Sequence, residues 1–129
     1  MSDKITTALE ISDAEAQAVA VAPRVSLADI EANIAAEYTF VLGDILRRLE
    51  CPTSQADGVH VLTLHFIVTK NGFIFIGKSA PASAENFNRE LGTKFAKEDA
   101  MRQIWPVMGY ALREKLRPAF PPPSSDTVQ

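Results

Sequence analysis

The chain has 129 residues, 47% hydrophobic and 22% charged, with a formal net charge of −3. One domain with a sizeable core fits that length and two do not. No apolar run approaches the roughly 18 residues of a membrane span, and the single cysteine, Cys51, cannot form an intramolecular disulfide.

Residues 1–24 are rich in Ala, Ser, Thr and acids and end at Pro23. They lack the basic start and unbroken hydrophobic block of a secretory signal and are expected to be a mobile or weakly helical extension. Ser26-Leu27-Ala28-Asp29 has the pattern of a capping box, in which the serine accepts from a free backbone N–H and an acid sits in the positive first turn. Ile30, Ile34 and Tyr38 follow at helical spacing, which predicts an amphipathic helix over 27–37. The apolar pattern of 40–49 suits a further helical turn or two after Gly43, and CPTSQADGV (51–59) is loop-forming. Cys51 is expected to be a small, half-buried apolar side chain rather than a reactive thiol.

The segment from His60 to Ala80 predicts a β-hairpin, because two strand-like runs flank Asn71-Gly72, the pair best suited to a tight turn with φ > 0. With those two as the loop, Lys70 faces Phe73, Val68 faces Phe75 and Ile67 faces Ile76. Leu62, Leu64, Phe66, Val68, Phe73 and Phe75 then share one apolar face. Val61, Ile67, Ile74 and Ile76 fall on the other. A hairpin is not stable alone. The long C-terminal helix covers one face, and the second needs the N-terminal helix, a second subunit or a target. Both strands also have a free edge in this reading, which invites self-association.

Ser83 as cap and Glu85 in the first turn predict a helix over about 84–104, with Phe87, Leu91 and Phe95 in one row. Pro106 disfavours helical geometry at Trp105 and suits the start of a new helix, so a terminal helix is expected over 106–117. Pro118 and Pro121-Pro122-Pro123 stop it. The predicted class is a small α+β domain: an N-terminal helix and an antiparallel hairpin packed on C-terminal helices. Its divisions are a flexible extension (1–25), the domain (26–117) and a Pro-rich disordered tail (118–129).

Chemistry is sparse. His60 and His65 lie an odd number apart, so on a regular strand they face opposite ways and do not share a metal. His65 falls opposite Lys78 and reads as a neutral sheet residue. Ser79 and Ser83 lack the nucleophile-elbow context, and no glycine run leads into a helix as in a phosphate loop. Glu85 with Arg89, Glu90 with Lys94, and Glu98 with Arg102 stand four apart with the acid first, the favourable helical order. No catalytic residue, cofactor or metal is expected. The candidate partner-binding residues are Ile67, Ile74 and Ile76 on the second sheet face, with Trp105, Met108 and Tyr110 near the proline, where a core anchor competes with an aromatic and methionine patch.

Three segments carry a resemblance: LADIEANIAAEY (27–38), KNGFIFIGKSAPASAENFNRELG (70–92) and AMRQIWPVMGYALREKL (100–116). In order and spacing they resemble a family of small tailed-phage and prophage proteins known by phage gene numbers, gene product 49 and gene 66. The likeness covers 26–116. Asn88 replaces an expected aspartate and Pro81 an expected small residue. The family has no assigned activity, so the resemblance implies a phage origin and a compact α+β domain, and no functional residue is carried over.

The leading expectation is a non-enzymatic phage accessory protein that binds a host or defence protein in the bacterial cytoplasm, with a virion role as the alternative. A nucleic-acid-associated protein is the second reading. Residues 1–59 carry 10 acidic and 4 basic side chains, whereas residues 60–129 carry 6 and 9; the balances are −6 and +3. That reading requires Lys78, Lys94, Lys97, Arg102, Arg113, Lys115 and Arg117 to gather on one surface. A small-molecule binder or enzyme with a pocket between hairpin and helices is the third. A homo-oligomer is a further expected partner state, and no membrane is.

Overall fold

A computed structural model describes residues 7–54 and 58–117. It is an α+β domain in chain order α1 (Ala8–Ala18), α2 (Leu27–Ala32), β1 (Ile34–Val41), α3 (Leu42–Arg48), β2 (Thr63–Thr69), β3 (Ile74–Ser79) and α4 (Arg89–Lys115). Single 3-10 turns span Gly58–Val61 and Ala84–Asn86. The strands form one antiparallel sheet in the order β1-β2-β3. Residues 1–6, 55–57 and 118–129, for which the sequence predicts among other things a Pro-rich tail, lie outside the described residues.

The expected capping box is present. Ser26 Oγ accepts from Asp29 N–H at 3.1 Å, and Asp29 Oδ2 accepts from Ser26 N–H at 2.9 Å. The helix it starts ends at Ala32, however, and residues 34–41 are a strand instead of the predicted helical continuation. Ile30, Ile34 and Tyr38 stand at helical spacing, but Tyr38-Thr39-Phe40-Val41 is a run of aromatic and β-branched residues that prefers a pleated surface. Pairing with β2, interrupted only by a bulge at Ala35, decides the outcome.

The extension, expected to be mobile or weakly helical, contains a helix. Thr7 forms a second capping box with Glu10, and α1 follows with Leu9 buried in the core. Asp13 binds α1 to the entry of α2, accepting from Leu27 N–H at 2.9 Å and from Arg24 Nη2 at 2.8 Å. The Leu27 amide, then the Arg24 guanidinium, hold the Asp13 carboxyl below its ordinary value.

The hairpin loop has three residues, not two. Thr69 N–H bonds to Phe73 O at 2.9 Å and Gly72 N–H to Thr69 O at 2.8 Å. Gly72 lies at φ 88°, the left-handed position of a three-residue loop. Asn71 Oδ1 braces the turn by accepting from Phe73 N–H at 3.1 Å and Thr69 Oγ1 at 2.6 Å. The one-residue change moves β3 to the other face: Ile67 pairs with Phe75, Phe66 with Ile76 and Val68 with Ile74. His65 therefore faces Gly77 and not Lys78, which pairs with Leu64.

α4 is a single helix of 27 residues that runs through Pro106, where two helices were expected. Proline removes one N–H and crowds the preceding turn. Trp105, the residue before it, is anchored from outside the helix by Nε1 donating to Val25 O at 2.9 Å. Helix entry is also later than expected: Asn88 is the N-cap, accepting from Leu91 N–H at 2.9 Å, and Ser83 makes no capping bond. Aspartate and asparagine cap equally well, so the Asn88 departure preserves the function of that position.

α4 lies across β2 and β3. The core between them contains Ile30, Ile67, Phe75, Ala100, Met101 and Ile104, joined by Leu9 from α1. Gly77 lets the helix approach: a Cβ there would stand 2.0 Å from Ala96 O. Cys51 is exposed, contrary to expectation.

Candidate functional site

Strand alternation divides the sheet into unlike faces. The helix-covered face carries Val61, Thr63, His65, Ile67 and Thr69 from the second strand region, all buried, with Phe75 and Gly77 from β3. The opposite face carries Ala36, Tyr38 and Phe40 from β1, Leu64, Phe66 and Val68 from β2, and Ile74 and Ile76 from β3. Tyr38 is 53% exposed, Phe40 42%, Ile74 56% and Ile76 49%, while the three β2 residues between them are half-buried. The Phe40 and Phe66 rings meet edge to face with centroids 5.9 Å apart. These residues form a contiguous apolar surface open to solvent, rimmed by exposed Lys70 and Lys78. Contiguity sets it apart from scattered exposed hydrophobes and marks interaction surfaces in folded domains.

The six candidate residues are not brought together. Ile74 and Ile76 lie on the open face, whereas Ile67 is fully buried beneath α4, a consequence of the loop change. Trp105 packs on the core and Met108 lies near α2, its Sδ accepting from Asn33 Nδ2 at 3.6 Å. Tyr110 is 70% exposed on α4. The aromatic residues that complete the open face, Tyr38 and Phe40, were missed because their segment was read as helix. Period-two alternation at 36, 38 and 40 was the available signal.

A polar chain backs the sheet on its other side. Buried His65 holds Glu37 Oε1 at 2.7 Å through Nε2 and Thr39 Oγ1 at 2.6 Å through Nδ1, and Lys97 Nζ lies 3.2 Å from the same Glu37 oxygen. Burial opposes ionisation of Glu37, but the His65 hydrogen bond and Lys97 charge outweigh it and hold the carboxyl below its ordinary value. Nε2–H thus donates to a carboxylate, while Nδ1 and the Thr39 hydroxyl share the second hydrogen bond. Hydroxyl, imidazole and carboxylate in series resemble an activated nucleophile. Of the cavities of about 320 and 500 Å³, against α4 and the N-terminal helices, neither is lined by Glu37, Thr39 or His65, and the first meets the network only through Lys97. The network's evident work is to satisfy a buried histidine and fasten β1 to β2. Among the described residues no group of three or more His, Cys, Asp or Glu side chains is arranged to hold a metal ion.

The basic side chains are partly spent on acids. Lys97 meets Glu37, Arg102 lies 3.9 Å from Glu98, and Arg117 lies 3.4 Å from Glu114. Arg89 turns from its expected partner Glu85 to grip Asp44 with two nitrogens, at 2.8 and 3.0 Å, linking α4 to α3. Arg89, chiefly by hydrogen bonding, holds the Asp44 carboxyl below its ordinary value. No helix of the described residues is long and apolar enough to cross a membrane.

The family model for the phage protein (N4 Gp49/phage Sf6 gene 66) family matches residues 25–116. The chain belongs to that family. The matched span runs from just before the Ser26 capping box to the end of α4, so it contains the entire sheet and its open face. No curated protein and no solved structure matches the chain.

Proposed function

We propose that this phage-family protein acts by binding, without catalysis, and that the open sheet face is the surface that meets a protein of the bacterial host. One observation carries the reading: Tyr38, Phe40, Ile74 and Ile76, together with the half-buried β2 residues between them, leave an apolar surface in water on an otherwise ordered domain. Burying it on a partner is favourable by roughly 25 cal/mol per Å² of apolar area removed from water, before the costs of association. Lys70 and Lys78 at the rim favour a partner with acidic residues around an apolar centre, through steering more than through affinity.

Affinity capture from host lysate tests this with the tagged full chain and its Ile74→Glu, Ile76→Glu variant, each with and without nuclease. The expected result is a host protein retained at near-stoichiometric yield by the wild type, insensitive to nuclease and lost with the variant. Retention that disappears with nuclease, or an identical partner set for both chains, overturns it.

The small-molecule reading has one observation in its favour. The cavity of about 320 Å³ between α1, α2 and α4 combines Leu9, Leu27 and Met101 with Lys94 and Lys97, and Glu98 on its wall has a buried Oε2 without a hydrogen-bond partner. Thermal-shift screening against charged amphipathic metabolites checks it; a flat response across the set removes it.

A further inference from the structure

The two outer edges of the sheet differ. On β3, α4 takes two of the outward backbone groups: Gln103 Nε2 donates to Ile76 O at 2.7 Å, and Lys78 N–H donates to Asp99 Oδ2 at 2.9 Å. Asp99 and Gln103 are one helical turn apart, so α4 takes one outward group at each of two consecutive outward positions of that strand. On β1, the pairs Ala36 with Val68, Tyr38 with Phe66 and Phe40 with Leu64 continue the bond from Leu42 N–H to Leu62 O at 2.9 Å. Alternation along an antiparallel ladder then points the N–H and C=O of Glu37 and Thr39 away from the sheet. No backbone hydrogen bond among the described residues reaches those outward groups. Residues 37–40 are all exposed. An unsealed edge of this kind is a template for another strand.

We propose that β1 pairs antiparallel with β1 of a second copy of this chain, joining two three-stranded sheets into one six-stranded sheet across a two-fold axis. The strand selects its own register. Past the bulge at Ala35 the outward groups sit at odd-numbered residues, so odd must face odd, and the two such registers nearest the middle of Ile34–Val41 centre on residues 37 and 38. One sets Glu37 opposite its own symmetry mate, with like charges directly across the strands, which is unfavourable. The other sets Glu37 opposite Thr39 and Tyr38 opposite Tyr38, bringing two aromatic rings together on the open face with Ala36 beside Phe40. Because α4 side chains cap the middle of the β3 edge, β1 is the edge each copy offers, and pairing closes at a dimer rather than growing into a filament. The inference concerns the edge and does not rest on the host-protein reading of the face, although the two share Tyr38 and Phe40.

Sedimentation velocity on the full chain over a concentration series, with cysteine crosslinking, tests the register as well as the association. The wild type is expected to sediment as a dimer, and Tyr38→Lys, which sets two ammonium groups at the axis, as a monomer. In a Cys51→Ser background, Tyr38→Cys is expected to form a disulfide dimer on mild oxidation. A narrow non-hydrogen-bonded pair brings its Cα atoms to about 4.5 Å, within disulfide reach. Ala36→Cys, displaced from the axis, is expected not to crosslink. Ile74→Glu, Ile76→Glu, two strands away, is expected to stay dimeric while losing the host partner. A wild type that is monomeric throughout overturns the proposal. So does a dimer that crosslinks through residue 36 and not residue 38.

Discussion

Glu37 is the residue on which the fastening of β1 depends, because one carboxylate oxygen serves both His65, 4% exposed, and Lys97. Glu37→Ala leaves a buried imidazole N–H without an acceptor. We expect a loss of about 1–3 kcal/mol in urea unfolding, and an unchanged midpoint would contradict the network's role. Glu50 carries strain of another kind. It sits at φ 56° just past α3, where Glu50 N–H bonds to Arg47 O at 3.1 Å and Cys51 N–H to Leu46 O at 2.8 Å. Those two bonds define a Schellman ending, whose left-handed position suits glycine. Glu50→Gly is therefore expected to stabilise the protein by up to about 1 kcal/mol, read as a raised melting temperature.

At the scale of elements, the fold turns on how closely α4 lies on β3. A Cβ on Gly77 would meet Ala96 O at 2.0 Å and Ala100 N at 2.5 Å, both backbone atoms that move only with the helix. Gly77→Ala is expected to destabilise by about 1–3 kcal/mol. At Gly109 in the same helix nothing lies within 4 Å of an added Cβ. Gly109→Ala is expected to stabilise by about 0.5–1 kcal/mol, and equal effects at the two sites would refute the packing account. The hairpin and the Ser26 helix start were legible in sequence because each rests on local chemistry, a turn pair and a cap. β1 was not: its apolar residues satisfy both a helical and a strand period, and a long-range partner, β2, chooses between them. The hairpin register failed for a smaller reason, since Asn71 and Gly72 serve a three-residue loop as readily as a two-residue one. Local rules also broke α4 at Pro106, which lies inside one continuous helix whose Trp105 is tied to Val25.

For the whole molecule, Asp13, Glu37 and Asp44 all have carboxyls held below their ordinary values, and each joins two elements. The folded state binds fewer protons than the unfolded chain at mildly acid pH. Their stabilisation is therefore complete above the ordinary carboxylate range and is lost as pH falls through the lowered values. A denaturation midpoint that drops from neutral pH to below about pH 4 is expected, with a shallower drop in Asp44→Asn; identical profiles would contradict it. The candidate site was half legible. Ile74 and Ile76 were assigned to the uncovered face, but Ile67 belongs to the core and the β1 aromatics were hidden in a supposed helix. What the sheet shows as a whole is a domain with α1, α2 and α4 gathered on one side, leaving an apolar face and one bare edge. The most direct measurement places a photocrosslinking side chain at position 76 on the open face and, separately, at position 102 on the exposed side of α4, in the full chain within host cells. The account predicts a discrete adduct with a host protein from position 76 and none from position 102. Adducts from position 102 alone, or none from either, would contradict it.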